Sequence, residues 1–261
     1  MKGAPVEIRS RDNPRLAQVR RALRDPAAYR RPGAPLWLEG DHLLRAALAR
    51  GWPLAEVLVA ESAWTDAALQ ALALHGERVL RLPDALFAEL STLESPARIG
   101  ALIERPVPGP LRDDLPTVLL AQLQDAGNVG SILRSAAALG VVQVVALKGT
   151  AALWSPKVLR AGMGAHFALQ LHESATPEAL DALRQPWVAT SSHADALLHR
   201  TVLPDPCVWV FGHEGQGVAA DIQARCALSV RIAQPGGEES LNVAAAAAIC
   251  LHESVRQRGA Q

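Results

Sequence analysis

From residue 117 to residue 233 the chain sets near-continuous apolar runs, TVLLAQL, VVQVVAL, FALQLH, PWVATS, CVWVFG and ALSVRIA, between stretches of helical character. Strands that are apolar on both sides and separated by helices predict a parallel sheet covered on each face. In such sheets ligands bind beyond the carboxyl ends of the strands, so the loops that follow them are where chemistry is expected. The first half alternates differently, with short runs (LWLE, AEVLVA, RVLRL, RIGALIE) between helix-like stretches such as GDHLLRAALARG and PDALFAELS. This predicts a small α/β sandwich, with Asp41 capping its first such helix and Gly51 ending it. The segment RPVPGPLRDDLP holds four prolines and a glycine, a composition that favours an extended connection. The expected organisation is residues 1–105, a linker at 106–116, and residues 117–261.

Charge changes the picture only locally. The 26 basic residues of the chain balance 26 acidic ones, yet residues 1–31 carry nine Lys/Arg against three Asp/Glu. An arginine-rich arm on a mildly acidic body suits a polyanion, although charge alone equally fits a solvated terminus. Cys207, Cys226 and Cys250 are widely spaced in apolar surroundings, as buried free thiols in a reducing compartment would be. No zinc spacing, signal core or membrane-length apolar run is present, which predicts a cytoplasmic protein without metal or membrane.

Three loops share one layout. In LQDAGNVGSILRSAAALG a strand end is followed by Gly127 and Gly130, read as turn glycines, then Asn128 as a hydrogen-bonding or capping residue, and a helix carrying Arg134. In CVWVFGHEGQGV the glycines at 212, 215 and 217 do not fit the dinucleotide-binding fingerprint, which argues against a nicotinamide-dependent oxidoreductase. A glycine-rich turn still lets a ligand reach backbone amides, and Glu214 sits within it. His213 has no second ligand at metal spacing. In GGEESLNVAAAAAICLHE, Ser240 or Asn242 is positioned as N-cap of a helix whose alanines allow close packing.

In this order, the loops resemble the three motifs of the SpoU (TrmH-like) family of RNA ribose 2′-O-methyltransferases, in the SPOUT superfamily. The likeness covers most of residues 117–257, with SPKVLRAGMGAHFALQL between the first two motifs. It implies an α/β fold: a C-terminal SPOUT domain with a parallel sheet and a deep trefoil knot, preceded by a small ribosomal-protein-like α/β substrate-binding domain. The stretches SRDNPRLAQVRRALRD and LWLEGDHLLRAAL carry the looser N-terminal likeness.

The resemblance further implies S-adenosylmethionine as cofactor, rRNA or tRNA as substrate, and a homodimer through the C-terminal domain. Its catalytic residues fall on Asn128, Arg134, Glu214, Ser240 and Asn242. Its cofactor contacts fall on Gly212, Glu214, Gly217, Ile232, Leu241 and Asn242. Arg9, Arg11, Arg15, Arg20, Arg21 and Arg24 are the expected RNA contacts. Three positions depart from the family pattern: Ala126 replaces a proline, His213 precedes the glutamate, and Ala233 and Gln234 stand where a proline is common. A non-catalytic RNA-binding or assembly protein of the same fold is the alternative; it has no need of the five motif residues together.

Overall fold

The computed structural model describes residues 4–91, 93, 95–236 and 240–259, and the side chains of Ala22 and Arg24 lie outside that description. The chain divides into two compact units, Met1–Val107 with Trp154–Pro156, and Pro108–Leu153 with Lys157–Gln261.

The first unit contains β1 (Val6–Glu7), α1 (Pro14–Arg24), β2 (Pro35–Glu39), α2 (Asp41–Ala49), β3 (Glu56–Ala60), α3 (Glu61–Trp64), α4 (Ala67–Ala73), β4 (Arg78–Leu82), α5 (Asp84–Ala88) and β5 (Ile99–Glu104). Its sheet runs β1-β4-β3-β5-β2. The first three strands in that order are mutually parallel, and β5 is antiparallel to both neighbours. Leu36, Leu38, Leu44, Leu58, Leu82 and Phe87 fill the core. The cap of α2 differs from expectation: Gly40 is the N-cap, and Asp41 is the first helical residue. There the carboxylate complements the positive end of the helix dipole, and it pairs with Arg45 at 3.4 Å. Asp66 does cap α4, accepting from the amides of Ala68 and Leu69.

The arginine-rich segment is a docked helix and not a free arm. Asn13 caps α1 through its side chain and Pro14 opens it, a position where no donor is lost. Leu16 and Val19, one turn apart, are fully buried. Arg15 then meets the buried carboxylate of Glu56 at 2.9 Å, and Arg20 meets Glu89 at 2.8 Å.

The second unit contains β6 (Thr117–Leu120), α6 (Ala126–Ala138), β7 (Gln143–Leu147), α7 (Pro156–Gly162), β8 (Gln170–Ala175), β9 (Trp187–Thr190), β10 (Ala196–Leu197), β11 (Val208–Phe211), α8 (Ala220–Gln223), β12 (Leu228–Arg231) and α9 (Val243–Arg258). The sheet order is β10-β12-β9-β11-β6-β7-β8, and all its pairings are parallel. Its central strands are buried along their whole length, as the continuous apolar runs predicted. The segment FALQLH is only partly strand, because Ala165–Ala168 forms a 3-10 turn before β8. In that turn His166 is fully buried against the carbonyl of Leu153 at 2.8 Å, and burial pushes its pKa down to about 4.

Buried amide side chains secure the entry to this sheet. Gln143 accepts from the amide of Arg112 and donates to the Arg112 carbonyl and to the Thr117 hydroxyl. Gln185 donates to the Leu115 carbonyl and to the same hydroxyl. Burial pushes the Cys207 and Cys250 thiols up to about 12, and Cys226 to about 11, so all three are held as neutral thiols.

Candidate active site

Parallel pairing of β6 with β11 aligns Leu120 with Phe211, so the loops after both strands leave the sheet side by side. The first makes an unexpected turn. Gln122 adopts a left-handed φ of 64°, and Gly127 and Gly130, read from sequence as turn residues, both lie inside α6. Gly130 serves close packing instead: a Cβ there would stand 2.4 Å from the Cβ of Ala161 and 2.8 Å from the Val158 carbonyl oxygen of α7.

The helix begins earlier than the sequence pattern indicated. Asp125 is its N-cap, accepting from the amide of Asn128 at 2.7 Å, so Asn128 is a first-turn residue whose side chain is not needed as a cap. Ala126 occupies the first helical position, where the family proline is also compatible with a helix. The second loop closes tightly: the amides of His213 and Gly217 each donate to the other residue's carbonyl, at 2.9 and 2.8 Å. A Cβ on Gly212 would stand 2.3 Å from the Gly217 carbonyl carbon, so this turn has no room for a larger residue. The imidazole Nδ1 of His213 accepts from the amides of Gly215 and Gln216, which gives that departure from the family a loop-shaping role.

Glu214 is thereby held over the first loop. Its carboxylate accepts from the amides of Gln124 and Asp125 at 3.4 and 3.3 Å, and from Asn128 Nδ2 at 3.2 Å. Partial burial pushes its pKa up, but these bonds and that of its own amide outweigh the effect, so the carboxyl lies below the usual range. The other side of the Asn128 amide, Oδ1, accepts from Asn242 Nδ2 at 2.9 Å. Asn242 in turn caps α9, its Oδ1 accepting from the amides of Ala244 and Ala245. Each amide is therefore oriented by partners at both ends, and one hydrogen-bonded line joins all three loops.

The remaining motif residues stand apart from that line. Arg134 is exposed on the face of α6 that carries Gly127 and Ser131, and it has no hydrogen bond or ion pair among the described residues. Ser240 is exposed beside the cap. Of the expected cofactor contacts, Gly212 is buried, Gly217 exposed, Ile232 half-buried and Leu241 40% exposed. One observation there fits a bound ligand: Gln234 Oε1, in the loop after β12, is buried with no donor among the described residues. A cavity of about 350 Å³ lies between Leu198, Ile232, Ala248 and Ile249, and it meets the expected cofactor set at Ile232 alone. The turn at residues 237–239, read from QPGGEE, lies outside the described residues. Among the described residues no group of His, Cys, Asp and Glu is placed to hold a metal ion, and no helix is long and apolar enough to cross a membrane.

In the first unit the expected RNA contacts separate into two groups. Arg15 and Arg20 are committed to Glu56 and Glu89, whereas Arg9 and Arg11, though paired with Glu7 and Glu89, keep side chains 71% and 72% exposed. Arg21 is exposed without a partner among the described residues, and the side chain of Arg24 lies outside them.

Known proteins share both units. Residues 116–252 match the SpoU rRNA Methylase family, and residues 13–101 match the MRM3-like substrate binding domain. The 23S rRNA (uridine(2479)-2′-O)-methyltransferase of Streptomyces viridochromogenes is 30% identical over 84% of this chain and 82% of its own. The 23S rRNA (guanosine(2553)-2′-O)-methyltransferase RlmP of Bacillus subtilis is 29% identical over 82% and 86%. The crystal structure of the SpoU methyltransferase AviRb from Streptomyces viridochromogenes in complex with AdoMet superimposes with a TM-score of 0.82, at 28% identity, over 94% of this chain and 98% of that one. The family match and these relatives thus make the chain an S-adenosylmethionine-dependent RNA 2′-O-ribose methyltransferase. The chain belongs to the SpoU rRNA methylase family.

Proposed function

We propose that this enzyme methylates a ribose 2′-hydroxyl of ribosomal RNA, in the cytoplasm, with the first unit binding the RNA and the second carrying the chemistry. The observation that carries this reading is the Glu214–Asn128–Asn242 line, which draws three separate loops to the carboxyl edge of adjacent parallel strands. When bound, S-adenosylmethionine supplies an electrophilic methyl group. Gly212, Glu214, Gly217, Ile232, Leu241 and Asn242 would line its place, and the orphaned Gln234 Oε1 would accept from an amino group.

The chain's own residues address the nucleophile. A ribose hydroxyl is a poor acid, and a guanidinium does not surrender its proton in proteins. Arg134, exposed and unpaired among the described residues, is therefore assigned to hold the RNA phosphate and stabilise negative charge on the 2′-oxygen. Glu214 and Asn128 act as positioning residues for the loop that leads to it, and Asn242 and Ser240 shape the neighbouring wall. Contact with the 2′-hydroxyl selects RNA over DNA but carries no base identity, which leaves target choice to the first unit.

The same reading includes the family's knotted topology and a homodimer. Ala245, Ala248, Ile249 and His252 follow helical spacing on one side of α9, with Ile249 41% exposed, and a second copy would cover that stripe.

The test is transfer of labelled methyl from S-adenosylmethionine to ribosomal RNA, followed by mapping of ribose methylation in a deletion strain against its parent. Label on a base, or no difference between the strains, sinks the proposal. Titration calorimetry with S-adenosylmethionine addresses the non-catalytic alternative, which predicts no binding.

A further inference from the structure

The loop that leads into α6, the helix carrying Asn128 and Arg134, rests on a residue that none of the three motifs contains. After β7 the chain turns back tightly, with the amide of Thr150 donating to the Leu147 carbonyl at 3.1 Å. Because β7 lies beside β6, with Ala146 opposite Leu120, this turn is set against the end of β6. The Thr150 side chain is 1% exposed. Its hydroxyl accepts from the amide of Gln122 at 3.1 Å and donates to the carbonyl of Leu120 at 3.0 Å. One residue on, the amide of Ala151 donates to the carbonyl of Leu123 at 2.8 Å. The hydroxyl thus spans the residue pair that brackets Ala121, and does so where Gln122 takes its left-handed φ of 64°.

A left-handed conformation is unfavourable for a residue with a side chain, and it persists where neighbouring contacts determine it. Two and three residues beyond Gln122 come the amides of Gln124 and Asp125 that hold Glu214, and Asp125 is also the cap of α6. We propose that Thr150 is a positioning residue of the methyltransferase: its hydroxyl fixes the left-handed turn at Gln122 and so sets the loop that presents Asn128 and Arg134. The inference rests on the catalytic reading of that loop. Methyl transfer is sensitive to alignment, so loosening the turn affects turnover more than RNA docking, most of which the proposed function gives to the first unit.

Thr150→Val keeps the side-chain volume and removes the hydroxyl, and Thr150→Ser keeps the hydroxyl. With labelled S-adenosylmethionine and ribosomal RNA, the valine variant is expected to lose about 10- to 100-fold in kcat. Its KM for RNA should stay within about two-fold of wild type, and the serine variant should recover kcat to a similar margin. Hydrogen exchange gives a readout independent of catalysis: the Gln122, Gln124 and Asp125 amides should exchange faster in the valine variant and at wild-type rates in the serine variant. Wild-type kcat in the valine variant, an equal loss in the serine variant, or unchanged exchange overturns the proposal. If the valine variant does not fold, Thr150→Ala is measured in the same way. A wild-type enzyme that methylates no ribose would sink the proposed function, whereas the exchange rates would still decide whether Thr150 holds the turn.

Discussion

The Nδ2 of Asn242 donates to Oδ1 of Asn128 at 2.9 Å across 114 residues of sequence, while the Oδ1 of the same Asn242 side chain caps α9. The two duties can be separated. Asn242→Asp keeps the capping oxygen and loses the donor, so it should cut methyl transfer with little loss of stability. Asn242→Ala loses both, and should also cost about 1 kcal/mol of unfolding free energy. Equal activity of the aspartate variant and wild type in the methyl-transfer assay would remove the Asn128 link from the catalytic account.

Glu214→Gln leaves an amide where three donors need an acceptor. The neutral side chain offers one weaker oxygen, and its own N–H groups face the donors of Gln124, Asp125 and Asn128. Turnover should fall at least about 10-fold, a loss of about 1.4 kcal/mol in transition-state stabilisation. Single-turnover kinetics checks this.

Arg134→Ala should abolish methyl transfer and leave cofactor affinity unchanged, since the side chain is exposed and bonds to none of the described residues. Calorimetry with S-adenosylmethionine supplies the control. Substantial turnover by this variant on the true RNA would remove Arg134 from its assigned role.

Ala126→Pro should stabilise the second unit. Asp125 already has φ −77° and ψ 119°, the extended geometry required before proline, and the first helical position loses no intrahelical bond. The expected gain is about 0.4 to 1 kcal/mol, read by urea unfolding.

Acid sensitivity has an identifiable source in α9. Hydrogen bonding from Arg256 outweighs burial and, with help from Gln257, draws the Glu253 carboxyl from its ordinary 4.5 down to about 2. Because the folded value is the lower one, the stabilisation is complete above pH 4.5 and is lost as pH falls toward about 2. Glu253→Gln should therefore lower stability at about pH 6 more than at about pH 3. A pH-independent difference in urea unfolding would show that this pair contributes nothing through its charge.

Much of this fold could be read from residue pattern. Runs such as VLL, QVVAL and VWVF have no polar face to give to water, so a doubly covered parallel sheet was legible, and adjacent strand ends then bring Asn128 and Glu214 within reach. Local conformation was harder to see. Gly127 and Gly130 carry the composition of a turn, yet Gly130 is small because α7 passes against it, a tertiary reason without a local sign. Conversely, the residue that does turn is a glutamine, held left-handed by a threonine 28 positions away. Asp125, an aspartate directly before a helical stretch, is the residue type of an ordinary cap and takes the capping role expected of Asn128. The arginines of α1 read as a uniform basic surface because their partners, such as Glu56 41 residues from Arg15, are remote in sequence.

Those internal pairs also limit how α1 can respond to electrolyte. Glu56 and Glu89 already neutralise Arg15 and Arg20, so these two displace few condensed cations when a polynucleotide docks. If α1 and its approach meet RNA as proposed, the described side chains left to contribute are Arg9, Arg11 and Arg21, or about 2 to 3 units of slope in a plot of log affinity against log salt concentration. On that proposal ionic strength acts on the same segment twice, weakening its grip on a nucleic acid through one set of guanidiniums and its seat on its own domain through the other.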